Sequence, residues 1–476
     1  MSDYKKTIGM EVHAELKTKE KLFSPAINSY GDLANKNVNI IDLGYPGVLP
    51  TINREAVDLA IRACHILHCK IRNKMHFDRK NYFYPDNPKN YQITQERTPI
   101  GYDGYVEIEL DGKIKRVEIL EMHIEEDTAK SIHANGKTLL DFNRAGVPLI
   151  EIVTKPCMNS SKEAILYLEK LKELLLYASV SDCKMEEGSM RCEANVSISK
   201  TNELGTKIEI KNIGSITNVG LAIEYEAKRQ EELLESGMVL REETRRFDAK
   251  SNKTILMRVK ETGNDYRYFP EPDIPYFEIS NEYINNIIKE IPTNANTRRK
   301  RYIEAGINKI NVDKIIANKD ISDYLELISD KSLKTASNLL LGDISAYLNK
   351  KNITLFSGIN LTPSRMEDLV SRINNNEIST KNFKDIVDEV METELSISEI
   401  LKKNNIMNVV DNNQILEIIN KVIDDNQKVV NDYLEGNERS FKYLMGQVMK
   451  ESKGSVNPKV ANDLLLEKLS KILKNT

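Results

Sequence analysis

The side chains best suited to chemistry fall into two arrangements. The first is the stretch from Phe77 to Gln92, where Arg79, Lys80 and Lys89 are interleaved with Tyr82, Phe83, Tyr84 and Tyr91 and stiffened by Pro85 and Pro88. Proline fixes its own φ and drives the preceding residue towards an extended conformation, so Tyr84 to Pro88 reads as a rigid loop. Cations interleaved with rings on such a loop suit a ligand carrying phosphates and bases. A turn whose rings pack into the core and whose charges are solvated has the same composition. The second arrangement is a set of acids and one imidazole on separate strand-like segments: Glu11, His13, Glu126 and Glu151. Glu151 is a lone carboxylate in the apolar run Leu149 to Val153, and a buried carboxylate must be paired, protonated or metal-bound. If all four face one cavity, their oxygens suit Mg²⁺, which keeps waters and bridges to phosphates. His13 would bind through water or favour a softer ion such as Mn²⁺. Ordinary ion pairing with nearby Arg and Lys is the alternative for each acid taken singly. No GxxxxGK[ST] loop occurs, so the phosphates of a bound ATP would need side-chain cations and the metal. Neither a Cys-His glutaminase arrangement nor a Ser-Ser-Lys amidase signature is present.

The elements that must position these groups are strands with one apolar and one ionisable face. Ile8, Met10, Val12 and Leu16 alternate with Glu11, His13 and Glu15, a period-2 pattern. Val106, Ile108 and Leu110 lead into a hairpin turn at Asp111-Gly112. The returning strand sets Leu120, Met122 and Ile124 against Glu121, His123 and Glu125, and ends near Glu126 and Asp127. Arg191, Glu193, Asn195 and Ser197 share a face, as do Lys207, Glu209 and Lys211. An antiparallel sheet can leave one face open, and this one reads as the floor of a polar cavity. Ser160 with Glu163 reads as a capping box opening a helix, and a second helix runs from about Val219 to Ser236, ended by Gly237.

At 476 residues the chain holds more than one domain, and 40% hydrophobic with 29% charged residues is a globular composition. The net charge of −4 excludes a generally basic nucleic-acid coat, so any RNA contact is local. No apolar run reaches membrane-spanning length and no signal-peptide core opens the chain. Five cysteines without a CxxC pair point to reduced thiols, a cytoplasmic setting and no zinc site. Glycine and proline thin out after about residue 292. The expected organisation is therefore 1–292, rich in strands, then helical units at 293–406 and 407–476. Thr297 to Arg301 reads as a solvated helix start. From Arg439 onward eight Lys/Arg face three Asp/Glu, a local +5. Gly446 and Gly454 read as helix breaks there, and Ser455 to Pro458 as a helix start.

Six motifs stand in order: Gly9 to Leu16, Asp42 to Pro50, Phe77 to Lys89, His123 to Asp127, Lys184 to Cys192 and Asp265 to Asp273. A seventh follows at Gly446 to Gly454. Together they resemble the B subunits of the bacterial tRNA-dependent amidotransferases, which make Gln-tRNA(Gln) and Asn-tRNA(Asn), densely so over the first 275 residues. The resemblance implies an α+β fold: a cradle (kinase) domain with an antiparallel sheet, an all-helical domain and a small helical tail. It implies ATP-dependent phosphorylation of the side-chain carboxylate of Glu-tRNA(Gln) or Asp-tRNA(Asn). Two further chains would complete a heterotrimer: a glutaminase, the A subunit, sending ammonia through a channel, and the small C subunit joining the other two. Carried over by motif, the Mg²⁺ ligands are Glu11, His13, Glu126 and Glu151, with Glu125 competing for the place of Glu126. Lys89 joins them as a catalytic residue. Arg79, Lys80, Arg191, Glu193 (often Asp in the family), Asn195 and Lys207 would contact ATP. Tyr82 or Tyr84 would stack the terminal adenine of the tRNA, and Lys442, Lys450 and Lys453 would hold its body. A stand-alone metal-dependent phosphohydrolase and a non-catalytic tRNA scaffold are the two rival functions.

Overall fold

The computed structural model describes residues 3–259, 266–353, 359–375, 377–404, 406, 412–452, 456 and 458–475. Two compact units result, Met1–Ala295 and Asn296–Thr476. Among the described residues no helix is long and apolar enough to cross a membrane.

The first unit contains strands β1 (Lys5–Glu15), β2 (Lys70–Ile71), β3 (Lys74–Met75), β4 (Asp78–Asn81), β5 (Tyr91–Thr94), β6 (Gly101–Leu110), β7 (Lys113–Glu126), β8 (Lys130–Ala134), β9 (Lys137–Asp141), β10 (Pro148–Thr154), β11 (Met190–Ser199), β12 (Ile208–Lys211), β13 (Glu243–Asp248), β14 (Lys253–Val259), β15 (Phe269–Pro270) and β16 (Phe277–Glu278). Its helices are α1 (Arg54–Ile66), α2 (Ser161–Tyr177), α3 (Ile216–Glu235) and α4 (Asn281–Lys289). Nine strands form one sheet in the order β14-β13-β12-β11-β1-β10-β7-β6-β2. Every neighbouring pair is antiparallel except β12 and β13. That parallel pair needs a crossover, which α3 supplies. A smaller sheet, β15-β4-β5, carries the Phe77–Gln92 motif.

The alternation of β1 decides which face is which. Ile8, Met10, Val12 and Ala14 are fully buried, while Glu11, His13 and Glu15 point the other way. A slip of one residue would expose three large apolar side chains, each worth about 1.5–3 kcal/mol, and bury three ionisable ones. The apolar face is covered by α1, α2 and α3 in one continuous core. Their starts are fixed by Asn53, Ser160 and Ser215, whose side chains accept from the backbone N–H of Glu55, Glu163 and Asn218. Such caps contribute about 1 kcal/mol each. The capping box expected at Ser160 is half formed, because Glu163 accepts from Asn159 N and Lys115 instead. The β6–β7 hairpin turns at Asp111 and Gly112, both at positive φ, as a tight hairpin turn requires. Leu120 does not join the buried face, contrary to its place in the sequence pattern. A bulge against β10 shifts the register there, so that Ile119 and Met122, three apart, are buried and Leu120 is exposed.

The second unit is helical: α5 (Ala295–Glu304), α6 (Lys309–Ala317), α7 (Lys319–Glu326), α8 (Asp330–Leu339), a π-turn at Leu340–Ile344, α9 (Ser345–Lys351), α10 (Pro363–Asn374), α11 (Thr380–Glu392), α12 (Ile397–Lys403), α13 (Asn412–Asp425), α14 (Gln427–Leu434), α15 (Glu438–Glu451) and α16 (Pro458–Asn475). The last four enclose a core of their own around Ile419, Leu444, Val448 and Leu465. Arg298, expected to be solvated, is buried and donates to Ser322 and Asp323. Gly446 lies inside α15 and breaks nothing.

Candidate active site

The open face of the large sheet bears the ionisable side chains in rows set by strand register. One row runs Arg191–His13–Glu151–His123 across β11, β1, β10 and β7. The next places Glu193 beside Glu11, and a third runs Asn195–Glu209–Thr244–Arg258. Neighbours in a row are near enough for side chains to interact. All of these but His123, Asn195 and Thr244 floor a cavity of about 1220 Å³, with Lys80, Tyr82, Gln92, Asp127, Lys211, Arg241 and Tyr266 among its walls.

Two groups of potential cation ligands share that floor. The ligating atoms of His13, Glu125 and Glu151 lie within 4.8 Å of one another, and so do those of Glu11, Glu193 and Glu209. His13 Nε2 is 3.3 Å from Glu125 Oε1 and 3.4 Å from Glu151 Oε2. Burial alone would push the His13 imidazolium down, but Glu151 and Glu125 outweigh it and lift the group to about 10. His123 is raised in the same way, against its burial, chiefly by Glu151. Despite its burial Glu151 is held well below the usual carboxylate range, by His13 and His123. The cluster thus demands positive charge. It fits a divalent cation on a second count: Glu125 Oε2 is buried without a hydrogen-bond partner. In the other group Asn195 donates to Glu11 Oε1 at 2.8 Å, and Lys211 Nζ lies 2.6 Å from Glu193 and 3.1 Å from Glu209. Burial pushes Glu193 up while Lys211 opposes it.

The structure sorts the sequence candidates. Glu11, His13, Glu151, Lys80, Arg191 and Glu193 line the cavity. Asn195 stands behind Glu11. Tyr82 is in the wall, edge-on to Tyr266 at 6.2 Å. Glu126 is not with them. Strand alternation sends it away from the cavity, where it pairs with the buried Lys89 and accepts from Ile93 N at 2.9 Å. Glu125 takes the place beside His13 instead, and Lys89 is withdrawn with Glu126. Arg79 is clamped by Glu271 at 2.6 and 2.8 Å and by Asp273 at 3.1 Å, under Tyr91. Its guanidinium is therefore spent on structure. Lys207 is exposed ahead of β12, and Lys211, four residues on in the same alternating pattern, reaches the cavity. Tyr84 is 65% exposed, so the loop motif is neither wholly a core turn nor wholly a ligand wall. Lys442 and Lys450 are exposed on α15; Lys453, Gly454, Ser455 and Asp265 lie outside the described residues.

Sequence reasoning does not single out Asp127, Glu209, Lys211, Arg241 or Arg258 as site residues. Glu209 and Lys211 are visible in the period-2 pattern. Asp127 bridges Arg191 at 2.7 Å and Arg144 at 3.4 Å. Arg241 and Arg258 sit next to strand ends, where alternation carries no signal.

Residues 6–285 match the family described as GatB/GatE catalytic domain, and residues 322–469 match a GatB domain. The chain is 45% identical over 474 residues to the B subunit of the aspartyl/glutamyl-tRNA(Asn/Gln) amidotransferase of Lysinibacillus sphaericus (strain C3-41), covering 98% of this chain and 100% of the relative. The subunits of the same name from Geobacillus thermodenitrificans (strain NG80-2) and Enterococcus faecalis (strain ATCC 700802 / V583) are 45% and 44% identical over 475 residues, again with 98% and 100% covered.

Proposed function

The chain belongs to the family of aspartyl/glutamyl-tRNA(Asn/Gln) amidotransferase B subunits, and on that premise we propose that the cavity activates the side-chain carboxylate of a misacylated tRNA with ATP. The observation that supports this most directly is the pair of cation-ligand groups on adjacent strands of one floor. Seven carboxylates line the cavity against five Lys/Arg and one His. That surplus would repel a polyphosphate, so the site needs added cations before ATP can enter. His13, Glu125 and Glu151 would hold one divalent ion, and Glu11, Glu193 and Glu209 a second. Bound there, such ions neutralise phosphate charge and polarise the transferred phosphoryl group.

A carboxylate is a poor electrophile, because ammonia cannot expel oxide from it. Phosphorylation turns one oxygen into a leaving group, and ammonia then attacks the carbonyl carbon to release phosphate and leave the amide. The chain's own cations carry the rest of the charge. Lys80, Arg241 and Arg258 line the cavity and form no ion pair among the described residues. Lys80 faces Glu125 and Glu151, which hold it protonated against its burial. Arg191, fixed by Asp127, is placed to orient the substrate carboxylate. Tyr82 and Tyr266 offer ring faces for the terminal adenine.

The sequence carries no ammonia-generating signature, so the glutaminase, the A subunit, supplies ammonia, and the C subunit joins the two. The exposed Lys442 and Lys450 of α15 meet the tRNA body. Purified complexes carrying Glu11→Gln or Glu151→Gln test the reading. They should lose misacylated-tRNA-dependent ATP hydrolysis while the glutaminase keeps its glutamine turnover. ATP turnover indifferent to charged tRNA would favour a phosphohydrolase, and full activity in both variants a scaffold.

A further inference from the structure

His123 plays no part in the chemistry so far, yet it stands in the same row as two cation ligands. The registers of β1, β10 and β7 set His13, Glu151 and His123 side by side. Glu151 Oε2 pairs with both imidazoles, 3.1 Å from His123 Nε2 and 3.4 Å from His13 Nε2. The two histidines are otherwise unlike. His13 lines the cavity and belongs to a ligand group. His123 does neither, and its Nε2 stays 3.9 Å from Glu125 Oε2. Its Nδ1 is buried with no hydrogen-bond partner. Among the described residues Glu151 is the anion nearest to it.

A glutamate side chain has three torsions, and its carboxylate turns towards whichever cation is nearest. Around Glu151 the choices are His13 from β1, His123 from β7 and Lys80 from β4, with Glu121 and Glu125 repelling it from β7. Lys80 is the competitor that matters, since it lines the cavity and is drawn to both Glu125 and Glu151. An imidazole anchored at the sheet surface and bonded to one oxygen removes that freedom and leaves the other oxygen to the cation. Partners that orient a ligating carboxylate in this way typically contribute 10–100-fold to metal affinity.

We propose that His123 is a positioning residue of the cation site, donating its Nε2–H to Glu151 Oε2 so that Oε1 faces the bound ion. The inference rests on the metal reading of the cavity. It says further that one imidazole, not two, contacts the ion, and that loss of His123 lets Glu151 swing onto Lys80.

The test uses the full-length chain and Mn²⁺ alone. Electron paramagnetic resonance of free Mn²⁺ gives the affinity, and pulsed measurements of ¹⁴N coupling count the imidazoles on the ion. The all-oxygen group Glu11, Glu193 and Glu209 gives no such coupling, so the nitrogen signal reports the His13 site alone. The expected result is one coordinated imidazole in the wild type. In His123→Ala affinity falls 10–100-fold while the nitrogen coupling persists. In His123→Gln, whose amide N–H can reach the same oxygen, affinity recovers to within about threefold of wild type. Unchanged affinity in His123→Ala overturns the proposal, and so does loss of a second nitrogen, which would make His123 a ligand. A Gln variant as weak as Ala also overturns it. If the Ala variant does not fold, His123→Asn, one methylene short of the Gln reach, takes its place against His123→Gln. Failure of this inference leaves tight wild-type binding intact; failure of the metal reading abolishes the wild-type signal itself.

Discussion

Glu125 and Glu126 are adjacent, alike and both buried, so exchanging each for glutamine separates catalytic from structural use of one carboxylate. Glu126→Gln leaves the Lys89 ammonium, whose side chain is 8% exposed, without its anion. The bond from Ile93 N survives on the amide oxygen. Breaking one side of a buried pair costs about 3–5 kcal/mol. In a unit of about 295 residues that lowers the melting temperature by roughly 5–10 °C. Glu125→Gln removes an anion facing His13 and Lys80 but also relieves its repulsion with Glu151. Those effects oppose each other, so the melting temperature should fall less than in Glu126→Gln. Function should divide the other way. Glu125→Gln loses one charged ligand at the His13 site, and tRNA-dependent activation should fall by about 10²-fold or more. Glu126→Gln should keep cation binding at temperatures where it is folded. Calorimetric melting paired with Mn²⁺ titration reads both. A stable Glu126→Gln protein that has lost the ion, beside a Glu125→Gln protein that keeps it, would refute the assignment.

Other perturbations have equally definite outcomes. Lys211→Met should weaken ATP-dependent activation because Glu193 and Glu209 lose their shared cation, whereas Lys207→Met should leave the rate within twofold; steady-state kinetics of the pair decides. Ammonium should replace glutamine and the glutaminase in amidation, and ammonia released from glutamine by the isolated chain would contradict the proposal. Removing residues 407–476 should weaken tRNA binding and flatten its salt dependence, since fewer phosphates are neutralised; an unchanged slope in filter binding would count against a tail contact. Burial raises the Cys69 and Cys192 thiols to about 12 and Cys183 to about 11. At pH 8 the thiolate fractions are thus about 10⁻³ to 10⁻⁴, so these residues should resist alkylation in the native protein, react faster as pH rises, and label fully on unfolding.

Much of the floor is legible in the sequence because period 2 is a geometric property of a strand. Once Met10 and Val12 face the core, Glu11 and His13 face the cavity. The same rule separates Glu125 from Glu126, but only when the register is known at the strand end. Met122 and Ile124 put Glu125 on the ionisable face, whereas Glu126, the last residue of β7, is held by Lys89 and Ile93 N, partners that the alternation does not reveal. Lys207 fails for a related reason: β12 begins at Ile208, so alternation does not yet constrain the residue before it. Arg79 and Lys89 have the composition of phosphate ligands. Only the fold shows that Glu271 and Glu126 have claimed them, because those partners lie far away in sequence. Gly446 reads as a break and is none, because a single glycine inside a helix costs only about 1 kcal/mol relative to alanine.

If the cavity transfers a phosphoryl group to the substrate's side-chain carboxylate, one oxygen of that carboxylate leaves with the phosphate. Misacylated tRNA whose glutamyl or aspartyl carboxylate carries ¹⁸O, incubated with ATP, ammonium and the complete complex, tests it directly by mass analysis of the phosphate released. One ¹⁸O per phosphate is expected, appearing with the wild type and not with Glu151→Gln. Unlabelled phosphate formed in step with the amide would contradict the claim, because the oxygen lost from the carboxylate would then have left by another route.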